Sequence, residues 1–186
     1  GPCVIHAYPS SAQTLARYVK RAGDRPRNVR AVLVESENVY PDQIQDIEKA
    51  FGVRVFSSYG HSEKLVLAAQ CEQSDDYHVW PTYGYFELID HEGNLVQSPG
   101  QEGEIVGTGF INTVVPFVRY RTGDFATYVG PRCEKCGRAH AVIRDVRGRW
   151  PQGWLVAADG SAVTMTALNV HDDTLNNVRE YQFHQS

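Results

Sequence analysis

Residues 57–63, Ser-Ser-Tyr-Gly-His-Ser-Glu, gather groups able to hold a flat ring beside a hard cation. Tyr59 offers an aromatic face, and a base stacked on such a face gains about 1–3 kcal/mol. Gly60 has no side chain, so a ligand can lie against the backbone there. Ser62 adds a hydroxyl, and Glu63 a carboxylate oxygen of the hard type that magnesium prefers. A β-branched and aromatic run at 53–56 predicts a buried strand ending in this loop, the usual ligand position in an α/β sheet. An ordinary polar turn is the competing reading of the same composition.

The cysteines carry a separate signal. Cys133-Glu134-Lys135-Cys136-Gly137 has the Cys-x-x-Cys-Gly form of a zinc knuckle, which supplies half a tetrahedron. Cys71 and His78 form a second, separated pair, so the four residues predict one closed structural zinc site with no open position for catalysis. A redox pair or unrelated core cysteines are the alternatives. A redox pair favours a helix N-terminus, whereas this one follows Gly130-Pro131 in a predicted loop. Cys3 is expected to be buried.

Stepping outward, the elements that must position these groups change character along the chain. A helix is predicted from Ser10 or Ser11 to Ala22, with Leu15, Tyr18, Val19 and Ala22 on its inner face and Gly23 as its stop. A strand at 29–34 leads to a second helix, which starts at Pro41, turns Ile44, Ile47, Ala50 and Phe51 inward, and ends before Gly52. Strand, helix and strand with short joints make a βαβ unit and hence a parallel sheet. After Glu63 the pattern predicts strands at 65–69, 83–89, 103–108, 115–120 and 125–129. Turns are expected at Asp90-His91-Glu92-Gly93, Pro99-Gly100 and Thr122-Gly123-Asp124.

The expected architecture is therefore α/β plus β. A βαβ piece (1–72) precedes an antiparallel, barrel-like or bent-sheet subdomain (73–149). A third segment (150–186), with strand signals at 154–157, 161–163 and 181–185, reads as a hinge and the start of a small α+β C-terminal domain. Trp80, Tyr83 and Tyr85 are expected in the core.

The 186 residues suffice for a real core, and a net charge of −4 leaves no basic footprint for nucleic acid. No apolar run approaches the roughly 18 residues of a membrane span, and no signal-peptide pattern is present, so a cytoplasmic protein without a membrane partner is expected.

Four pieces in order resemble the AMP-forming acyl-adenylate ligases, specifically their phenylacetate–CoA ligase and CapK-like branch. They are Val34-Glu35-Ser36-Glu37-Asn38-Val39-Tyr40-Pro41, Tyr59-Gly60-His61-Ser62-Glu63, Arg119-Tyr120-Arg121-Thr122-Gly123-Asp124, and the segment from Ile143 through Gly148-Arg149. The second is similar to the family's Tyr-Gly-x-Thr-Glu element, with Ser62 in the threonine position. The third matches Arg-Tyr-Arg-Thr-Gly-Asp throughout. The resemblance covers roughly residues 4–149 and fits more loosely beyond.

The resemblance implies an ATP-dependent enzyme that converts a carboxylic acid to an acyl-adenylate and passes it to a thiol, coenzyme A in the nearest branch. Tyr59 and Gly60 would hold adenine, Asp124 and Arg149 ribose, Ser62 phosphate, and Glu63 the magnesium ion; Glu37 would order the loop beneath the nucleotide, and His61 has no assigned role. From local sequence alone, Asp124 reads as the close of a tight turn, Arg149 as a solvated side chain and Tyr59 as core. The family's phosphate loop and its C-terminal-domain lysine have no counterpart here, so the expectation is an incomplete, inactive piece of a longer ligase. A homodimer stays open as a partner. Two alternatives are an adenylating enzyme of capsule biosynthesis or cofactor modification, and a non-catalytic nucleotide- and zinc-binding module.

Overall fold

The computed structural model describes residues 1–148, 154–158 and 162–164. Three strands, β1 (Cys3–Ala7), β2 (Val29–Val34) and β3 (Val55–Gly60), lie parallel, with helices α1 (Pro9–Ala22) and α2 (Pro41–Phe51) between them in sequence. Both helices end at a glycine in the left-handed conformation, Gly23 and Gly52. Their inner faces close one core with Val32, Val34 and Val55, centred on Ile47 and Phe51.

The inner face of α1 differs from expectation. Pro9, Ala12, Gln13, Ala16 and Val19 are buried, while Leu15 and Tyr18 are 42% and 62% exposed and Ala22 also faces solvent. The periodicity is helical, but the buried stripe runs through Ala12 and Ala16 rather than Leu15 and Tyr18. Alanines let α1 approach the sheet and α2 closely, where Gln13 Nε2 donates to Asp46 Oδ2 at 3.0 Å.

The second half continues the same sheet. β4 (Leu67–Cys71), β5 (Ser74–Val79), β6 (Gly84–Ile89), β7 (Glu102–Gly109), β8 (Tyr120–Gly130) and β9 (Val142–Arg147) pair antiparallel in the order β3-β4-β5-β9-β8-β7-β6. With β1 and β2 they form one open sheet of nine strands, so the barrel-like expectation is corrected: β1 and β6 remain unjoined edges. β3 links the halves, its first residues pairing parallel with β2 and Ser58, Tyr59 and Gly60 pairing antiparallel with β4.

Segment 115–120 is not a strand before Tyr120. The Asn112 side chain accepts from the amides of Val114 and Val115, and Pro116 has no amide to give, so the run forms an irregular loop. Trp80 and Tyr85 are about half exposed rather than core, and Cys3 is exposed on the edge strand β1. A second compact unit, Trp150–Ser186, contains a described hairpin of β10 (Trp154–Val156) and β11 (Ala162–Thr164). The expected strand at 181–185 lies outside the described residues. Among the described residues no helix is long and apolar enough to cross a membrane.

The antiparallel half curls until the β3–β4 connection rests on β6 and β7. Glycines make the room. A Cβ on Gly84 would sit 2.0 Å from the Leu65 carbonyl oxygen, and one on Gly107 2.7 Å from the Leu65 Cβ. Leu65 is thereby fully buried. Gly84→Ala is expected to destabilise the protein by about 2–3 kcal/mol through overpacking against backbone that cannot yield. Denaturant unfolding measures it, and a loss below about 0.5 kcal/mol would show that the connection does not depend on this contact.

Candidate functional site

β3 runs further than its sequence suggests, through Ser57-Ser58-Tyr59-Gly60, so Tyr59 and Gly60 are strand residues rather than loop residues. The connection proper is 61–66, turned by a bond from the Lys64 amide to the His61 carbonyl at 3.0 Å. Ser62 is exposed at its tip and Glu63 is half-buried. Gly60 faces solvent, and a Cβ there would meet only ordinary contacts, so packing does not require glycine.

Across the curl stands Asp124, 6% exposed, whose Oδ2 accepts a hydrogen bond from the Tyr59 hydroxyl at 2.7 Å. Thr122-Gly123-Asp124, expected as a turn, is instead a bulge inside β8. Glu104 pairs with Phe125 and Val106 with Arg121, so Ile105 alone opposes these three residues. Gly123 takes φ 75°, which glycine adopts without strain. The Thr122 hydroxyl donates to the Ile105 carbonyl at 2.8 Å and accepts the Asp124 amide at 3.0 Å. Buried Glu104 accepts the Gly123 amide at 3.0 Å and pairs with the Arg121 guanidinium. Arg119 pairs with Glu87 at 3.1 Å. Arg121, Thr122 and Gly123 thus form the bulge that aims Asp124.

Three residues without an assigned role meet this site. The Tyr120 hydroxyl donates to Glu63 Oε1 at 3.3 Å, and His61 Nδ1 lies 3.3 Å from Glu63 Oε2, with the His61 and Tyr59 rings in a T-shaped arrangement. Asn38 Oδ1 accepts the Gly148 amide at 3.4 Å, and a Cβ on Gly148 would lie 3.7 Å from Asp124 Oδ1. Arg149 lies outside the described residues. Glu37 accepts the amide and hydroxyl of Ser10 at the start of α1, at 3.1 and 3.0 Å, which orders its loop. Beside it a cavity is lined by His6, Ala7, Tyr8, Ser11, Glu35 and Ser36.

β3 is clamped to the β4–β5 hairpin by Ser57. Its amide donates to Gln70 Oε1 and its hydroxyl accepts from Tyr77, both at 2.8 Å; burial pushes the Tyr77 phenol pKa up. The far end of that hairpin joins the β8–β9 loop. There the ligand atoms of Cys71, His78, Cys133 and Cys136 lie within 4.8 Å of one another. Burial raises the Cys71 thiol pKa, while the Arg138 backbone amide and further donors lower Cys136 to about 6.

No protein-family model matches the chain. A phenylacetate-coenzyme A ligase of Thermus thermophilus is 28% identical over 153 residues, covering 80% of this chain and 34% of that protein. One from Pseudomonas putida is 32% identical over 128 residues, covering 66% and 29%. The chain therefore spans about a third of the length of these curated relatives. The fold is similar to that of 2-hydroxyisobutyryl-CoA ligase in an open conformation, crystallised with 2-HIB-AMP and CoA. The TM-score is 0.68 at 24% identity over 88% of this chain and 37% of that one. Sequence relatives, motif order and fold agree in what the chain is similar to: the AMP-forming acyl-adenylate ligases, in their phenylacetate–CoA ligase and CapK-like branch.

Proposed function

We propose that this chain supplies the adenine- and ribose-binding walls of an ATP-dependent carboxylate–CoA ligase. The observation that carries the reading is the meeting of Tyr59 and Asp124 at 2.7 Å across the curled sheet. An aromatic ring and a buried carboxylate at that separation suit a nucleoside, the ring for the base and the acid for the two sugar hydroxyls. Phenylacetate-coenzyme A ligases among the relatives favour coenzyme A as the acceptor.

In the proposed reaction a substrate carboxylate oxygen attacks the α-phosphorus of ATP, forming a carboxyl–phosphate bond as pyrophosphate leaves. The coenzyme A sulfur then attacks the acyl carbon, and AMP leaves. Tyr59 stacks on adenine with Gly60 as the open backbone beside it. Asp124 accepts from ribose, a role that the resemblance extends to Arg149. Ser62, exposed at the tip of 61–66, donates to phosphate. Glu63 suits magnesium, which commonly takes one or two carboxylates and completes its shell with water and phosphate oxygens; the ion would offset phosphate charge there. Tyr120 and His61 hold the Glu63 carboxylate in place, a positioning role.

Two outcomes test this. Asp124→Asn keeps the shape but removes the charge, and is expected to weaken AMP binding roughly 10- to 100-fold, from the 1.5–3 kcal/mol typical of bonds to a charged group. Calorimetric titration that gives equal affinities for both proteins would remove ribose from Asp124. In the whole protein that carries this chain, Tyr120→Phe should raise the KM for magnesium–ATP about tenfold in ATP–pyrophosphate exchange, in line with the loss of one charge-assisted bond. An unchanged KM would refute the positioning role of Tyr120.

A further inference from the structure

We propose that Cys71, His78, Cys133 and Cys136 bind one zinc ion in a closed, four-coordinate structural site, distinct from the nucleotide residues. The donors come from three places in the fold: the end of β4, the penultimate residue of β5, and the loop between β8 and β9. They converge nonetheless, with every pair of ligand atoms inside 4.8 Å. A tetrahedron with zinc–sulfur bonds of about 2.3 Å and zinc–nitrogen bonds of about 2.05 Å has a sulfur–nitrogen edge of about 3.6 Å. The Cys136 Sγ to His78 Nε2 distance is 3.5 Å.

The surroundings prepare the donors for a cation. His78 Nδ1 lies 3.2 Å from the Ala69 carbonyl oxygen, which places the ring proton there and leaves the Nε2 lone pair facing the three sulfurs. The Gln73 amide donates to Cys71 Sγ and the Cys136 amide to Cys133 Sγ, both at 3.4 Å, and the Arg138 guanidinium reaches Cys136 Sγ at 3.6 Å. Gly137, at φ 76°, returns its amide to the Cys133 carbonyl at 2.8 Å and closes the knuckle. Three thiolates and a dication leave one net negative charge, and Arg138 stands beside it.

Cys71, Cys133 and His78 are each less than 5% exposed, and all three cysteines are free thiols rather than disulfide partners. A soft sulfur-rich set with one imidazole selects zinc over magnesium or calcium. All four positions are filled by protein, so the site holds structure rather than a reacting water. What it holds is the tip of the β4–β5 hairpin against the β8–β9 loop.

Metal analysis of the purified protein should find about one zinc per chain. Titration of the metal-free protein with cobalt(II) should give intense thiolate-to-cobalt charge-transfer absorption together with the visible bands of a tetrahedral ion. Arg138→Gln changes an exposed residue that is no ligand, and should weaken cobalt affinity about tenfold, the lower range for loss of an outer-shell partner. Cys136→Ser should abolish stoichiometric zinc. A cobalt-titrated wild-type protein without thiolate absorption overturns the proposal, whatever the variants do, and so does full zinc occupancy retained in Cys136→Ser.

Discussion

A carboxylate taken out of water must be answered by donors, and two such groups shape the antiparallel half. Glu104 and Asp124 are 7% and 6% exposed. Glu104 is answered by Arg121 and by the Gly123 amide, and it can reach that amide only because the backbone bulges there. The bulge in turn sets the direction of Asp124. Removing one residue from the strand would send the following side chains to the opposite face of the sheet. Asp124 is answered by Tyr59, which sits four strand positions away in the order β3-β4-β5-β9-β8. Strands spaced by about 4.8 Å would put β3 and β8 about 19 Å apart in a flat sheet. Two side chains cannot span that distance, so the bond exists only because the sheet curls. Leu65 seated on Gly84 and Gly107 is the packing that maintains the curl.

The parallel half was largely legible in the sequence because local rules decide it. Helix stops at Gly23 and Gly52, the start at Pro41 and the inward run Ile47–Phe51 depend on nothing distant. The misreading of α1 is instructive. Bulk drew attention to Leu15 and Tyr18, yet close helix packing rewards Ala12 and Ala16. Thr122-Gly123-Asp124 is a related case, since a glycine with positive φ marks a bulge as readily as a turn. Nothing local separates the two; the distinction lies in Glu104, eighteen residues or so upstream.

Site residues divide along the same line. Cys71, His78, Cys133 and Cys136 could be grouped from the sequence because few residue types suit a soft cation and the Cys133-x-x-Cys136 spacing is characteristic of one. Tyr120 and Asn38 could not, because their contacts with Glu63 and Gly148 join residues 57 and 110 positions apart. The resemblance of Arg119 through Asp124 to a ligase motif marked the run without giving the work of each member. The structure supplies it: Arg121 neutralises Glu104, Thr122 ties the bulge to Ile105, and Gly123 allows the backbone angle.

The cysteine–histidine cluster and Tyr59 share the β3–β4–β5 ribbon but sit toward opposite ends of it. Gly60 pairs with Leu67 and Ser58 with Ala69, so Cys71 lies alongside the start of β3. Four residues of strand separate that level from Gly60, about 13 Å at 3.3 Å per residue. A mechanical route connects that level to Tyr59. Ser57 is the part that can carry it, held by Gln70 from β4 and Tyr77 from β5 while standing two residues before Tyr59. Fixing the hairpin tip limits how far β4 and β5 can shear, and through Ser57 it limits how far the Tyr59 ring can leave Asp124.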